Sequence, residues 1–279
     1  MRALLTTVLL FFCFANAALA ETQAASTASV EVSLLNEAFV IAGLNRSRQV
    51  RLYLPPSYTS SDKRYPVLYM HDGQNLFDDA TAFAGEWAVD ESLNALAAQG
   101  LLELIVVAID NGGEHRITEL NFIDHPRYGK AEGQAYIEFI AHSVKPYIDK
   151  HYRTKADAKH TGIMGSSLGG LISHYAIVEL TQVFGVAGMF SPSYWITGEQ
   201  ISWFEQHSPA ADARLYFYLG AKEGGTMLPD MQRVYQALLA KGHPQQLTQF
   251  HIKDDAGHNE AAWREEFKAA VLWLFGADR

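Results

Sequence analysis

The stretch HTGIMGSSLGG, from His160 to Gly170, is the most informative part of this chain for its fold. An apolar, strand-like run reaches a glycine-rich turn and continues into a helical pattern. The motif G-x-S-x-G fits in one register only, with Gly165 and Gly169 on either side of Ser167. That motif is typical of a sharp strand-to-helix turn that exposes a serine hydroxyl. We therefore predict that Ser167 is a nucleophile.

Strand-like and helical patterns alternate on both sides of this turn. The other strand-like runs are VRLYLP, PVLYMHDG, LIVVAID, FGVAGMF, RLYFYLG and LTQFHIKD. Helical patterns cover Val89–Gly100, Gly133–Tyr152, Leu168–Glu179, Pro229–Lys241 and Asn259–Phe275. The alternation predicts one three-layer α/β domain with a mostly parallel central sheet. Between Asn111 and Gly133 we expect a loop of about twenty residues, a length usually associated with function or disorder.

Composition restricts the class of protein. The 279 residues are 48% hydrophobic and 19% charged, with a formal net charge of −9. Lys and Arg are not clustered anywhere, which argues against a nucleic-acid partner. The single cysteine, Cys13, lies in the first twenty residues, so a thiol nucleophile and a Cys-ligated metal are excluded from the domain itself.

The N-terminus has the layout of a secretory signal peptide. Arg2 precedes an apolar run from Ala3 to Phe14, and small residues follow at Ala18-Leu19-Ala20. We expect cleavage after Ala20 or Ala17 and a secreted or periplasmic protein without a stable membrane anchor. A transmembrane anchor is the alternative, but the run is short for a span of about 20 residues. Residues 21–37 then form a leader and first strand region, disordered as far as Ser29, and residues 38–279 form the domain.

A serine nucleophile needs a base, and in strand-turn-helix hydrolases the order is Ser, then Asp or Glu, then His. His258 follows the last strand and opens onto the last helix, where the base belongs. The other downstream histidines fit less well. His174 lies two helical turns beyond the serine, His251 is in mid-strand, and His207 and His243 lie in polar segments predicted to be exposed.

For the acid, chain order favours Glu223, which follows the RLYFYLG strand between glycines. Three aspartates remain alternatives. Asp230 lies in the first turn of a helix, where an acidic residue is favourable without catalysis, and Asp254 and Asp255 fit a turn.

Acyl transfer also needs hydrogen-bond donors for the developing oxyanion. The backbone N–H of Leu168, directly after the serine, is one candidate. The other is the N–H of Gln74, or of its neighbour Gly73, in the loop after the PVLYMHDG strand. His71 and Asp72 in the same loop could instead be a metal pair, but no second ligand pair accompanies them. We expect no metal and no cofactor.

Several motifs together resemble the putative esterase family of the α/β-hydrolase superfamily. They are RLYLPPSY, YPVLYMHDGQNLFD, EWAVDESL, GIMGSSLGG, FSPSYW, YLGAKEG and GHNEAAW. The resemblance runs from about Ala38 to the C-terminus and is most specific in HDGQNLFD with GSSLGG. It implies an α/β-hydrolase fold without a large cap domain, with Ser167 as nucleophile and His258 as base. Glu223 occupies the family's acid position, which is often Asp, and some siderophore esterases of this type have a weak or missing acid.

The resemblance also suggests substrate-binding residues. Arg116, followed by Glu119-Leu120, is implied to face the substrate; a loop-bracing ion pair with Glu119 is the alternative. Trp87 and Trp195 are implied to line the acyl or aryl pocket, although aromatic residues near strand ends are as often core.

These predictions converge on a serine carboxylic-ester hydrolase that acts through an acyl-enzyme. By resemblance its substrate is a small or aryl ester, such as a phenolic-acid or siderophore ester. An acyltransferase with the same triad is an alternative, and so is a non-catalytic binding protein on a hydrolase scaffold.

Overall fold

The computed structural model describes residues 25–276. The predicted signal peptide and the start of the leader lie outside the described residues. The strands are β1 Val32–Leu34, β2 Phe39–Ile41, β3 Arg46–Arg48, β4 Val50–Tyr53, β5 Val67–His71, β6 Ile105–Ile109, β7 Thr161–Ser166, β8 Val186–Phe190, β9 Arg214–Gly220 and β10 Thr248–Lys253. The helices are α1 Val89–Ala98, α2 Arg116–Glu119, α3 Gly133–Phe139, α4 Lys145–His151, α5 Leu168–Glu179, α6 Gly198–Gln206, α7 Met227–Ala240 and α8 Glu260–Phe275.

Eight of the described strands form one sheet in the order β1-β4-β6-β5-β7-β8-β9-β10. Strands β5 to β10 are parallel to one another, and β1 and β4 pair antiparallel at one edge. Helices cover both faces, which explains why the central strands are apolar without alternation. The predicted three-layer α/β fold with a mostly parallel sheet is confirmed.

Side chains of neighbouring residues in each strand enter two separate cores. In β5, Val67 and Tyr69 pack into the core under α3 to α7, whereas Leu68 and Met70 pack into the core under α1 and α8. This alternation follows from the two-residue period of a strand. The carboxyl ends of the parallel strands consequently meet at one edge, where ligands bind in open α/β sheets.

The predicted helices are all present. Gly133 to His151 is continuous helix, with a π-helical turn at Ile140–Val144 between α3 and α4. Sequence patterns missed the β2–β3 hairpin and α6, because three-residue strands and a nine-residue helix carry little periodicity. The segment after Asn111 is also less irregular than predicted, since a 3₁₀ turn at Gly113–His115 and α2 occupy its first part.

The prediction of a disordered leader is wrong for the described residues 25–29. Ser26 Oγ donates to Asp78, Thr27 Oγ1 donates to Glu86, and the Ser29 N–H donates to Asp90. The residues up to Ser29 were predicted to be disordered because they are small and polar and offer no apolar side chains to bury. Their partners lie more than fifty residues away in the sequence. Among the described helices, none is long and apolar enough to cross a membrane.

Candidate active site

The turn after β7 holds Ser167 in strained backbone. Its φ of 57° and ψ of −119° lie in a region that residues other than glycine rarely adopt. The surrounding chain fixes it there, because the Ser167 N–H donates to the Phe190 carbonyl at 2.8 Å and the Ser193 N–H donates to the Ser167 carbonyl at 3.1 Å. The strand-to-helix turn predicted from the motif is therefore present, with Ser167 at its apex.

Close approach of chain segments requires glycine at two positions around this turn. A Cβ on Gly165 would lie 2.9 Å from His71 Cδ2 and 3.0 Å from the backbone of Gly169. A Cβ on Gly170 would lie 2.8 Å from the Phe190 carbonyl oxygen. At Gly169 the nearest atom would be 3.4 Å away, which is ordinary contact. Packing therefore demands the first glycine of the motif more strongly than the second.

The structure brings His258 and Glu223 together. His258 Nδ1 lies 2.8 Å from Glu223 Oε2. The other oxygen of Glu223 accepts hydrogen bonds from the Gly220 N–H at 2.8 Å and from Ser191 Oγ at 2.5 Å. The Glu223 side chain is 1% exposed and that of His258 is 37% exposed. A buried, fully hydrogen-bonded carboxylate thus fixes one nitrogen of a histidine whose ring reaches solvent.

Trp263 on α8 completes this arrangement. Its indole Nε1 donates to Ser191 Oγ at 2.9 Å, and its ring packs edge-on against His258 with centroids 5.0 Å apart. The sequence analysis did not identify Ser191 or Trp263 as parts of the site. The signal available in the sequence was the position of Ser191 directly after a predicted strand. In the structure its φ of 47° is unusual for a serine.

Ser167 and His258 line one cavity of about 270 Å³ at the carboxyl edge of the sheet. Ser167 Oγ lies 3.0 Å from Ser193 Oγ, and within residues 25–276 no hydrogen bond joins Ser167 to His258. Such bonds are often long in unliganded enzymes and tighten when substrate binds. No large cap domain covers this cavity in the described chain.

The other candidate histidines have partners away from the cavity. His174 is buried against Phe204, and burial lowers its pKa to about 3. His251 contacts Glu266, and His207 contacts the Trp203 carbonyl. His243 was predicted to be exposed, and this is wrong: it is buried, which lowers its pKa. Among the candidate acids, Asp230 lies in the first turn of α7 and Asp254 and Asp255 lie in the turn after β10.

The two predicted oxyanion donors occupy different positions. Leu168 is the first residue of α5, where backbone N–H groups have no partner within the helix. Gln74 lies in a 3₁₀ turn after β5, and its side-chain oxygen accepts from the Asn111 N–H at 3.0 Å. Asp72 and Asn75 of that turn line the cavity, but Gln74 does not. A role for the Gln74 N–H stays a prediction.

Arg116 lines the cavity and forms an ion pair that was not predicted. Its Nε and Nη2 donate to the two carboxylate oxygens of Asp72 at 2.6 and 2.8 Å. Burial opposes the charge on Asp72, but the attraction of Arg116 and its hydrogen bonds lower the pKa of this carboxyl overall. The alternative pairing of Arg116 with Glu119 is absent, because Glu119 instead contacts Arg46 and Arg48.

The side chains of His71 and Asp72 have protein partners. His71 Nδ1 lies 2.9 Å from the Tyr136 hydroxyl, and Asp72 is held by Arg116 and by Asn111. Burial lowers the pKa of His71 to about 4, so this imidazole is neutral at neutral pH.

Of the two predicted pocket tryptophans, only Trp87 lines the cavity. It is buried and packs against Trp263, with ring centroids 5.8 Å apart. Trp195 is 49% exposed and does not line the cavity, since its neighbour Tyr194 takes the inward position and contacts His174. Phe83 and Glu260 are further lining residues that the sequence analysis missed.

Comparison with known proteins agrees with this geometry. The chain is 30% identical over 247 residues to the iron(III) salmochelin esterase of Escherichia coli O6:H1, an alignment that covers 83% of this chain and 54% of that protein. It is 23% identical over 235 residues to the endo-1,4-beta-xylanase/feruloyl esterase of Xylanibacter ruminicola, with 82% and 30% covered. The chain thus spans about half of the first relative and about a third of the second.

Among solved structures, the ferric enterobactin esterase of Salmonella typhimurium superimposes with a TM-score of 0.72 at 21% identity, covering 89% of this chain and 59% of that one. This likeness supports the fold. The family model described as "Putative esterase" matches residues 41–274, which include β4 to β10, the turn at Ser167 and the Glu223–His258 pair. The chain therefore belongs to the putative esterase family of carboxylic ester hydrolases.

Proposed function

We propose that this protein is a serine carboxylic-ester hydrolase that acts on small or aryl esters through an acyl-enzyme. The observation that carries the proposal is a strained Ser167 that shares a cavity with His258, whose far side is fixed by the buried Glu223. Serine needs a base, and a base needs an orienting acceptor. Membership in the putative esterase family supports ester hydrolysis as the reaction.

In the first half of the reaction, Ser167 Oγ turns away from Ser193 and attacks the ester carbonyl carbon. His258 Nε2 takes the hydroxyl proton, and Glu223 stabilises the imidazolium through Nδ1–H. The carbonyl oxygen gains the negative charge and accepts from the Leu168 N–H and from an N–H of the loop that contains Gln74. The intermediate then expels the alcohol, which receives the proton from His258.

Deacylation repeats these steps with water. His258 removes a proton from water, the hydroxide adds to the acyl carbon, and the C–O bond to Ser167 breaks as the serine regains its proton. The free carboxylic acid leaves. No cofactor or metal takes part in the proposed reaction.

The cavity favours a compact aromatic acyl group. Its volume of about 270 Å³ lies near the lower limit for small-molecule pockets, which is roughly 300 Å³. Phe83, Trp87 and Trp263 supply ring surfaces, and the guanidinium of Arg116 lies beside them. Phenolic-acid esters fit these features, and the names of the feruloyl and salmochelin esterase relatives are consistent with such groups.

The test is release of nitrophenol from acyl esters of increasing chain length by the wild type and by Ser167→Ala. We expect kcat/KM to fall at least about a thousandfold in the variant. Ser202→Ala on α6 is the matched control and should retain activity, because the Ser202 hydroxyl donates to the Gly198 carbonyl of the same helix and does not line the cavity. Equal rates in the wild type and in Ser167→Ala would refute the serine mechanism. If Ser167→Ala loses activity, rates on feruloyl and catechol esters give the order of preference among aryl substrates.

A further inference from the structure

Three carboxylates lie together where the loop after β5 enters α1. One carboxylate oxygen from each of Glu86, Asp90 and Glu91 lies within 4.8 Å of the other two. Glu86 and Asp90 are buried, at 4% and 0% exposure, while Glu91 is open to solvent. We call these three residues the acidic cluster.

Among residues 25–276, each buried member of the acidic cluster has one oxygen without a hydrogen-bond donor when all three carboxyl groups are ionised. Glu86 Oε1 accepts from Thr27 Oγ1, and Asp90 Oδ2 accepts from the Ser29 N–H. Glu86 Oε2 and Asp90 Oδ1 are buried and have no such donor in this part of the chain. Within residues 25–276, no Lys, Arg or His side chain forms an ion pair with any of the three carboxylates. Buried charges are normally paired or bound to a metal.

We propose that the acidic cluster is a binding site for a divalent cation of the calcium type. The inference goes beyond the proposed function and revises the expectation of a chain without metal ligands. All three donors are carboxylate oxygens, which hard cations prefer over softer metals. The open position of Glu91 provides a path for the ion, and water completes the coordination shell on that side.

The ligand set of the acidic cluster suits calcium better than magnesium. Calcium binds about six to eight oxygens at about 2.3–2.6 Å in flexible geometry, and carboxylates with water can supply them. Magnesium demands near-octahedral geometry at about 2.0–2.1 Å and usually keeps several waters beside one or two carboxylates. Three carboxylate oxygens within 4.8 Å of one another therefore favour calcium.

The bound ion would stabilise the cavity wall. Glu86 directly precedes Trp87, whose ring lines the cavity and whose N–H donates to the Asn75 carbonyl. Thr27 and Ser29 attach the N-terminal segment to the same carboxylates. A cation at the acidic cluster thus joins the N-terminal segment, the cavity loop and the first turn of α1.

The experiment compares thermal unfolding of the purified protein in EDTA and in excess CaCl₂, with direct binding followed by Tb³⁺ luminescence excited through tryptophan. Wild type should gain at least about 3 °C in melting temperature with calcium. It should also sensitise Tb³⁺, because Trp87 adjoins the site, and calcium should displace the Tb³⁺. No calcium-dependent gain and no Tb³⁺ signal in the wild type would overturn the proposal.

Two variants locate the ion. Glu91→Gln and Asp90→Asn should each lose most of the calcium-dependent gain and of the Tb³⁺ signal. Glu114→Gln, at an exposed glutamate outside the cluster, should keep both. In EDTA, Glu91→Gln should be at least as stable as the wild type, since one of three repelling charges is gone. If Glu91 had only a structural role, Glu91→Gln would instead lower the melting temperature both in EDTA and in CaCl₂. Equal calcium responses in the wild type and in both cluster variants would place the ion elsewhere and refute the site.

Discussion

Glu223 and Asp90 are both shielded from solvent, but their surroundings differ. Glu223 has a partner for each oxygen: Ser191 and the Gly220 N–H on one, and His258 on the other. Among the described residues, ionised Asp90 has a hydrogen-bond donor for one oxygen only, and the carboxylates of Glu86 and Glu91 lie close to it. A fully hydrogen-bonded carboxylate is a stable orienting group, whereas an unsatisfied one calls for a counterion.

A third carboxylate, Asp72, lies between these cases. It is buried like the other two, and it is compensated by the two parallel hydrogen bonds from Arg116. The three sites therefore contrast three ways of keeping a carboxylate in the interior: by neutral and histidine donors, by an arginine, and, as we propose, by a divalent cation.

The largest expected effect is at Glu223. Glu223→Gln removes the charge that stabilises the imidazolium and allows the wrong histidine tautomer. We expect kcat on a nitrophenyl ester to fall at least about a hundredfold, with little change in folding. Asp255→Asn, at one of the alternative acids, is the control and should leave kcat unchanged. If Asp255→Asn lost activity and Glu223→Gln did not, the assignment of the acid would be reversed.

The second largest effect is a loss of folding stability when Asp72 loses its ion-pair partner Arg116. Arg116→Ala leaves a buried carboxylate without its cation, so we expect the free energy of unfolding in urea to fall by about 3 kcal/mol. This is the lower end for a buried pair, because the Arg116 side chain is 25% exposed and Asn111 still donates to Asp72. Arg127→Ala, at an exposed arginine of the same segment, should change stability by less than about 0.5 kcal/mol. Equal stability of the two variants would show that the Arg116–Asp72 pair contributes nothing.

A smaller effect is expected at Trp263, which donates to Ser191, the residue that donates to Glu223. Trp263→Phe keeps the ring against His258 but removes the hydrogen bond to Ser191, whose loss is worth about 1 kcal/mol or a fivefold fall in kcat. The loss of the hydrogen bond is read from kcat, because the smaller phenyl ring also changes the cavity wall and with it KM. Trp273 lies on the same helix, but its ring contacts Arg214. Trp273→Phe is therefore the control and should have normal kcat. A larger effect of Trp273→Phe would mean that general packing of α8 explains both.

The smallest expected effect is the pH dependence of the acidic cluster. Although Glu91 reaches solvent, partial desolvation of its carboxyl group and its hydrogen bond to Asp90 raise its pKa to about 7, above the ordinary value of 4.5. Because the folded pKa exceeds the unfolded one, stability should fall as pH rises from about 4.5 to 7 in EDTA. Glu91→Gln should remove this part of the slope, a difference on the order of 2 °C in melting temperature between pH 5.5 and 8. Parallel pH profiles of the two proteins would contradict the electrostatic account of the cluster.

Much of the fold could be predicted because its signals are local. The alternation of strands and helices and the turn at Ser167 follow from apolar periodicity and glycine placement within a few residues. The β2–β3 hairpin could not be predicted this way because three-residue strands carry little periodicity. The attachment of residues 26–29 and the burial of His243 could not be predicted either, because both depend on contacts with segments far away in the chain.

The same division applies to the site. The G-x-S-x-G motif selected Ser167, and chain order after it selected Glu223 and His258. The structure brings Glu223 to His258 and places His258 in one cavity with Ser167. The partners that hold them, Ser191 and Trp263, have no motif of their own. Trp87 and Trp195 looked alike in sequence, and only packing separates the ring in the cavity wall from the exposed one.

The most direct test of the serine mechanism is to react the protein with a fluorophosphonate and identify the modified residue by peptide mass spectrometry. An activated serine displaces fluoride from phosphorus and keeps the phosphonyl group on its oxygen. We predict one adduct, on Ser167, which forms at least about a hundredfold more slowly in His258→Ala. An adduct on Ser193, whose hydroxyl lies 3.0 Å from that of Ser167, or labelling that is equally fast without His258, would contradict the account.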